Sequence, residues 1–150
     1  MIKPSQIKPD IELRDLLQGR VTVVRSAGKT EPVTVYSDWE RPTNKLPDDF
    51  IVIYINGNVS GVGSRVDFAQ GYLMVSLYCK LNDDGSVKKS RVAKLLEQFE
   101  ELVDKAKTEH YFYELEMERY ITPTTPNQTS GYSTTTLNLR WHTTTNFNVI

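Results

Sequence analysis

Two histidines, one cysteine and a row of glutamates are the side chains of this 150-residue chain best suited to chemistry. Acyl transfer needs a nucleophile beside a base, and only His110 and His142 could serve as imidazole bases. Neither sits in a catalytic motif. His110 falls where a helical pattern gives way to a strand, a position at which a helix C-terminus favours an imidazolium. His142 follows Trp141 on the more polar side of the last strand. Cys79 alternates with apolar residues, which reads as a buried, inert thiol, and being single it excludes an internal disulfide. Glu114, Glu116 and Glu118 form a period-two row. Such a row on the wet side of a sheet gives solubility or meets a basic partner more simply than it supplies a catalytic carboxylate pair. Asn82-Asp-Asp-Gly85 lacks the remaining ligand positions of a calcium loop. Gly57, Gly61 and Gly63 fit neither a dinucleotide fingerprint nor the lysine-containing phosphate loop, and the interval joins two strands where a phosphate cradle needs a helix N-terminus. The reading is therefore no enzyme, no catalytic residue, no metal ligand and no cofactor.

Composition narrows the class further. Lys and Arg total 18 against 19 for Asp and Glu, a net charge of -1, so no electrostatic surplus marks a specific nucleic-acid binder. The aromatic strand around Tyr111, Phe112, Tyr113 and Tyr120 is interleaved with glutamates, which repel phosphate. No stretch reaches the roughly 20 apolar residues that cross a bilayer, and Met1 to Asp10 lacks the apolar segment of a signal peptide. The expectation is one domain over 1–150, made in a cytoplasm, with no membrane partner.

The elements that must position these residues follow from periodicity. Asp10 is a candidate cap for a short helix whose Ile11, Leu13, Leu16 and Leu17 share one side and whose stop is Gly19. Residues 1–9 form an arm before it. Val21 to Val24 and Val33 to Tyr36 are β-branched runs around Ser26-Ala-Gly-Lys-Thr30 and read as a hairpin. The Pro-rich connection Asp38 to Asp49 should be anchored by Trp39. Phe50 to Ile55 is an apolar strand near the sheet centre. Asn56-Gly57 signals a turn opening an extended loop over 56–66. Tyr72 to Leu81 alternates cleanly, and from Ser90 to Lys107 apolar residues recur at steps of three and four as one stripe of a long helix. Tyr111 to Ile121 and Ser133 to Thr143 then form a final hairpin whose tip, 122–132, holds Pro123, Pro126, Asn127 and Gly131. The fold class is α+β: a mainly antiparallel sheet of about six strands, with the long amphipathic helix and the short N-terminal helix packed on one face.

This succession, and above all the strand, Asp-Gly turn and helix from Tyr72 to Val103, resembles the tail-terminator and tail-completion proteins of tailed bacteriophages. The resemblance spans residues 10 to 143 as an order of elements; the Thr-rich 122–136 segment and the Gly-rich tip lie outside it. It implies a virion structural protein, a subunit of a hexameric or higher ring at the phage neck or tail end. Its partners would be copies of itself and other neck or tail proteins, and it would act by assembly alone. The loop tips, with Asn58, Val59, Ser60, Val62, Arg65, Pro126, Asn127 and Tyr132, are then the candidate partner contacts. Trp39, Glu114, Glu116, Glu118 and Arg140 are candidates for the interface between subunits. The rival reading is a small-ligand or enzymatic α+β domain with a site near the Gly-rich loop, gathering His142, Arg140 and a carboxylate.

Overall fold

The computed structural model describes residues 8–25, 28–37, 39–60, 70–109 and 113–143. Helix α1 (Pro9–Leu17) opens on proline, which lacks the N–H that a first turn leaves unpaired anyway, and it carries Asp10 and Glu12 in that turn. The cap position is Lys8, whose side chain does not cap the helix, and not Asp10 as the sequence suggests. Gly19 does end the helix, in the left-handed region at φ 82 that glycine alone enters without strain.

Strands β1 (Thr22–Val24) and β2 (Thr30–Pro32) form a small antiparallel ribbon. The expected hairpin of Val21–Val24 with Val33–Tyr36 is thus corrected. Its second arm is residues 30–32, while β3 (Thr34–Ser37) leaves the ribbon and runs parallel to β4 (Asp49–Ser60). Local β propensity marks both segments as strands but says nothing about which neighbour each will take. The main sheet has the order β3-β4-β5-β7-β6, completed by β5 (Gln70–Lys80), β6 (Tyr113–Asn127) and β7 (Tyr132–Thr143), all antiparallel apart from the β3–β4 pair. Among the described residues, seven strands and two helices make the α+β fold expected, with one strand more than the sequence reading allows.

Helix α2 (Lys89–Glu109) follows the turn after β5 and lays its stripe on the sheet. Val92, Leu95, Phe99 and Val103 are buried in one core with Leu13, Leu16 and Leu17 of α1 and with Ile51, Ile53, Leu73, Val75, Leu77, Leu137, Leu139 and Trp141 of the sheet. At about 1.5–3 kcal/mol for each fully buried large aliphatic side chain, this core is the main stabilising term of the fold. Phe50 and Val52, on the opposite face of β4, are buried too, which is why that strand reads as a continuous apolar run. The central strand, however, is β5. No described helix is long and apolar enough to cross a membrane.

Strand reaches into both stretches expected as loops. β4 runs on through Asn56, Gly57, Asn58, Val59 and Ser60, with a register shift between Asn56 and Ser60 and the pair Ser60–Gln70 beyond it. Long-range pairing with β5 overrides the local turn signal of Asn56-Gly57. Likewise β6 continues through Thr122 to Asn127, leaving only 128–131 as the turn to β7. Prolines at 123 and 126 are tolerated because β6 is an edge strand, where an N–H on the outer side has no ladder partner to lose.

Candidate functional site

The one carboxylate sealed inside the described structure is Asp49, at the start of β4. Its side chain has 0% exposure and takes Arg25 Nη1 at 2.8 Å and Arg91 Nη1 at 3.5 Å. Arg25 follows β1 and Arg91 belongs to the first turns of α2, so one carboxylate ties ribbon, sheet and helix together. Arg25 also donates to Glu31 at 3.0 Å, and Arg91 donates to the carbonyl of Val24 at 3.3 Å. Cys79 lies opposite Asp49 in the ladder and is fully buried. Burial first, then the Asp49 charge, pushes its thiol up to about 12, so at neutral pH the group is protonated and unreactive. The inert-thiol reading of Cys79 stands. Sequence reading placed Asp49 in a surface connection; the missed signal is the alternation Asp49, Ile51, Ile53, which sets the acid on the core face.

On the other sheet face, Tyr36, Phe50, Tyr78 and Tyr132 form an aromatic cluster. Phe50 stacks on Tyr78 with centroids 4.5 Å apart and meets Tyr132 edge-on at 5.3 Å. Arg41 lies 5.7 Å over the Tyr78 ring, and the Tyr132 hydroxyl donates to Pro47 O at 2.7 Å. These contacts fasten the 39–48 connection across this end of the sheet. Tyr132, a candidate partner contact in the sequence, is therefore the first residue of β7 and packs half-buried within its own chain. Burial, then the charges of Asp48 and Asp49, raise its phenol.

Trp39 departs furthest from its expected role. Expected to be packed against the fold, it stands 96% exposed, in the left-handed region at φ 69. Its neighbour Glu40 does the anchoring. The Glu40 N–H donates to Ser37 O at 3.0 Å, and its carboxylate accepts from Ser37 N at 3.0 Å, Ser37 Oγ at 2.6 Å and Arg14 Nη1 at 2.6 Å. The Ser37 hydroxyl, then Arg14, hold the Glu40 carboxyl down at about 2. The turn is thus tied to α1 and to the end of β3 with its indole directed into solvent.

The remaining predicted residues separate. Asn58, Val59 and Ser60 lie on β4, not on a loop tip; Val62 and Arg65 lie outside the described residues, as does His110. Pro126 and Asn127 end β6, exposed, with Asn127 Oδ1 accepting from the N–H groups of Thr129 and Ser130 to shape the turn. Glu114, Glu116 and Glu118 are on β6, the outer strand of the sheet. In the ladder Glu116 stands opposite Arg140, which is exposed, and Glu114 stands opposite His142. The sheet therefore brings Arg140, His142 and two of the glutamates into one ladder.

A cleft absent from the sequence reading opens on the helix face, between β1 and the first turns of α2. Its volume is about 590 Å³, with Val23, Val87 and Leu95 among its apolar walls and Lys88, Lys89 and Lys94 among its cations. Gln98 borders it and holds the ribbon: its Oε1 accepts from Thr22 N–H, and its Nε2 donates to Thr22 O, both at 2.9 Å. Among the described residues no group of three or more His, Cys, Asp or Glu is placed to hold a metal ion. A scan against protein-family models and a search of curated proteins each returned no match.

Proposed function

We propose that the chain is a structural subunit of a homo-oligomeric ring at the neck or tail end of a phage particle, acting by assembly with copies of itself and with neighbouring virion proteins. The observation that carries this reading is the outer strand of the sheet among the described residues. One sheet edge is closed: β3 is four residues long, and the Val35 N–H donates to the Oε1 of Gln18, just past α1, at 2.9 Å. The other edge is β6, 15 residues with β7 on one side only in the sheet order. An open edge of that length is a template for another chain unless it is blunted by charge or covered. Trp39 adds an exposed, pinned aromatic, the residue type most enriched where protein interfaces concentrate their binding energy.

Electron imaging of the purified chain at rising concentration tests the reading. Closed annular particles of one diameter are expected. Substrate turnover by the purified chain, abolished by replacing a single cleft residue such as Lys94, would overturn it.

A further inference from the structure

We infer that the β1–α2 cleft receives an acidic peptide segment of a neighbouring protein, its carboxylates on Lys88, Lys89 and Lys94 and its apolar side chains against Val23, Val87 and Leu95. That the occupant is a protein rests on the assembly reading. The preference of the cleft for an acidic, partly apolar ligand stands without it.

Charge makes the first part of the case. Several cations elsewhere are matched within the chain: Arg14 with Glu40, Arg25 with Glu31 and Asp49, Lys80 with Asp48. In the cleft the pattern changes. Among the described residues Lys88, Lys89 and Lys94 form no ion pair, and none of those lining the cleft is acidic. Arg91, the fourth cation of the wall, is the one with a partner, the buried Asp49 at 3.5 Å. Helix polarity sharpens the contrast. The N–H groups of a first turn carry partial positive charge, so a helix start favours acids and disfavours cations. Helix α1 obeys, with Asp10 and Glu12 in its first turn. Helix α2, 21 residues long, has no acid there and opens with Lys89, Arg91 and Lys94, preceded by Lys88. Each of these cations stands against the dipole and against its neighbours. A local rule broken with no compensating group in the chain marks a functional surface, and a concave wall of one sign focuses its field on an incoming anion even though the chain carries a net charge of -1.

Shape and lining then select the class of anion. At about 590 Å³ the cleft lies within the range of sites that enclose an organic ligand, about 300–1,000 Å³. An inorganic ion needs neither that volume nor the walls of Val23, Val87 and Leu95. No described lining residue is aromatic, so a nucleobase finds no ring to stack on. Three separate ammonium groups call for several carboxylates on one ligand, more than a single-headed lipid carries. A peptide with acidic residues spaced by apolar ones meets all of these conditions, its charges fixing orientation and its apolar side chains leaving water.

The test measures the anisotropy of dye-labelled, end-capped peptides with the full chain. A peptide of alternating Glu and Val should bind, one of alternating Glu and Ser about tenfold more weakly, and one of alternating Lys and Val not at all. Lys88→Glu with Lys94→Glu should weaken the Glu-Val peptide about tenfold or more and admit the Lys-Val peptide instead. Lys45→Glu, at an exposed cation outside the cleft, should leave binding as it is. The double variant should unfold no earlier than wild type, because acids suit a helix start, so lost binding is not lost folding. Equal loss in Lys45→Glu, or none in the cleft variant, refutes the site. Competition by inorganic phosphate or a thymidine oligonucleotide as strong as that by unlabelled peptide overturns the peptide assignment. So does dissociation of wild-type rings by the cleft substitutions with no peptide present, which would make another copy the occupant. Rings that form while no acidic peptide binds refute the cleft and spare the ring reading; a chain that stays monomeric yet binds the Glu-Val peptide does the reverse.

Discussion

At the scale of single residues, Asp49 carries the largest consequence. Its carboxylate is buried between Arg25 and Arg91, whose side chains keep 23% and 25% exposure. Replacing one member of a buried ion pair leaves the others uncompensated, at about 3–5 kcal/mol. Partial solvation of both arginines places Asp49→Ala near about 3 kcal/mol, read from urea unfolding midpoints; a loss below about 1 kcal/mol would show that water already reaches the cluster. Cys79 supplies a pH test with a definite sign. Its thiol titrates near 9.0 in an ordinary setting and at about 12 when folded. Below the unfolded value both states hold the proton and stability is unaffected. Between pH 9 and 12 only the unfolded chain releases it, so stability falls as pH rises, by up to about 1.4 kcal/mol per unit from this group. Cys79→Ala should remove that part of the alkaline slope, and the wild-type thiol should react with a thiol reagent at pH 8 only after denaturant is added. A folded protein that reacts at once excludes a buried thiol.

At the scale of elements, glutamine side chains complete the ladders that strands leave unfinished. Gln98 of α2 pairs with both backbone groups of Thr22, and Gln18 at the end of α1 accepts from Val35. Gln98→Ala strands a half-buried donor and acceptor, each costing about 1–3 kcal/mol when left unmade. The expected result is a loss of about 2 kcal/mol and faster hydrogen exchange at the Thr22 amide, with the β4–β5 ladder unchanged. Exchange rising across the whole sheet would instead mean that the ribbon and the core unfold as one unit. Such ties also explain what the sequence could convey. The α2 stripe and the alternation of β5 were legible because burial imposes a period of 3.6 or 2 directly on residue type. The parallel β3–β4 pair was not, since propensity is blind to the choice of neighbour. Asn56-Gly57 and Pro126 misled because turn preferences of a few residues yield to a long ladder, and because an edge strand excuses proline. Trp39 was assigned to packing on the general habit of large aromatics, and only the hydrogen bonds of Glu40 reveal that the turn holds it outward.

For the whole molecule, the proposed ring makes a claim that open-ended stickiness does not. A heterologous contact either closes after a fixed number of copies or grows without limit, and an open sheet edge alone invites the second outcome. In a closed ring every copy has both of its contacting surfaces used, so growth stops at closure. Weight-average mass from sedimentation equilibrium should therefore climb with concentration and level off at one integer multiple of 17.2 kDa. Assembly also binds the native state and not the unfolded one, so the unfolding temperature should rise with concentration until the plateau is reached and little thereafter. Mass that keeps growing past any plateau would assign association to the β6 edge as a template, and the proposed closed ring would then be wrong in its geometry.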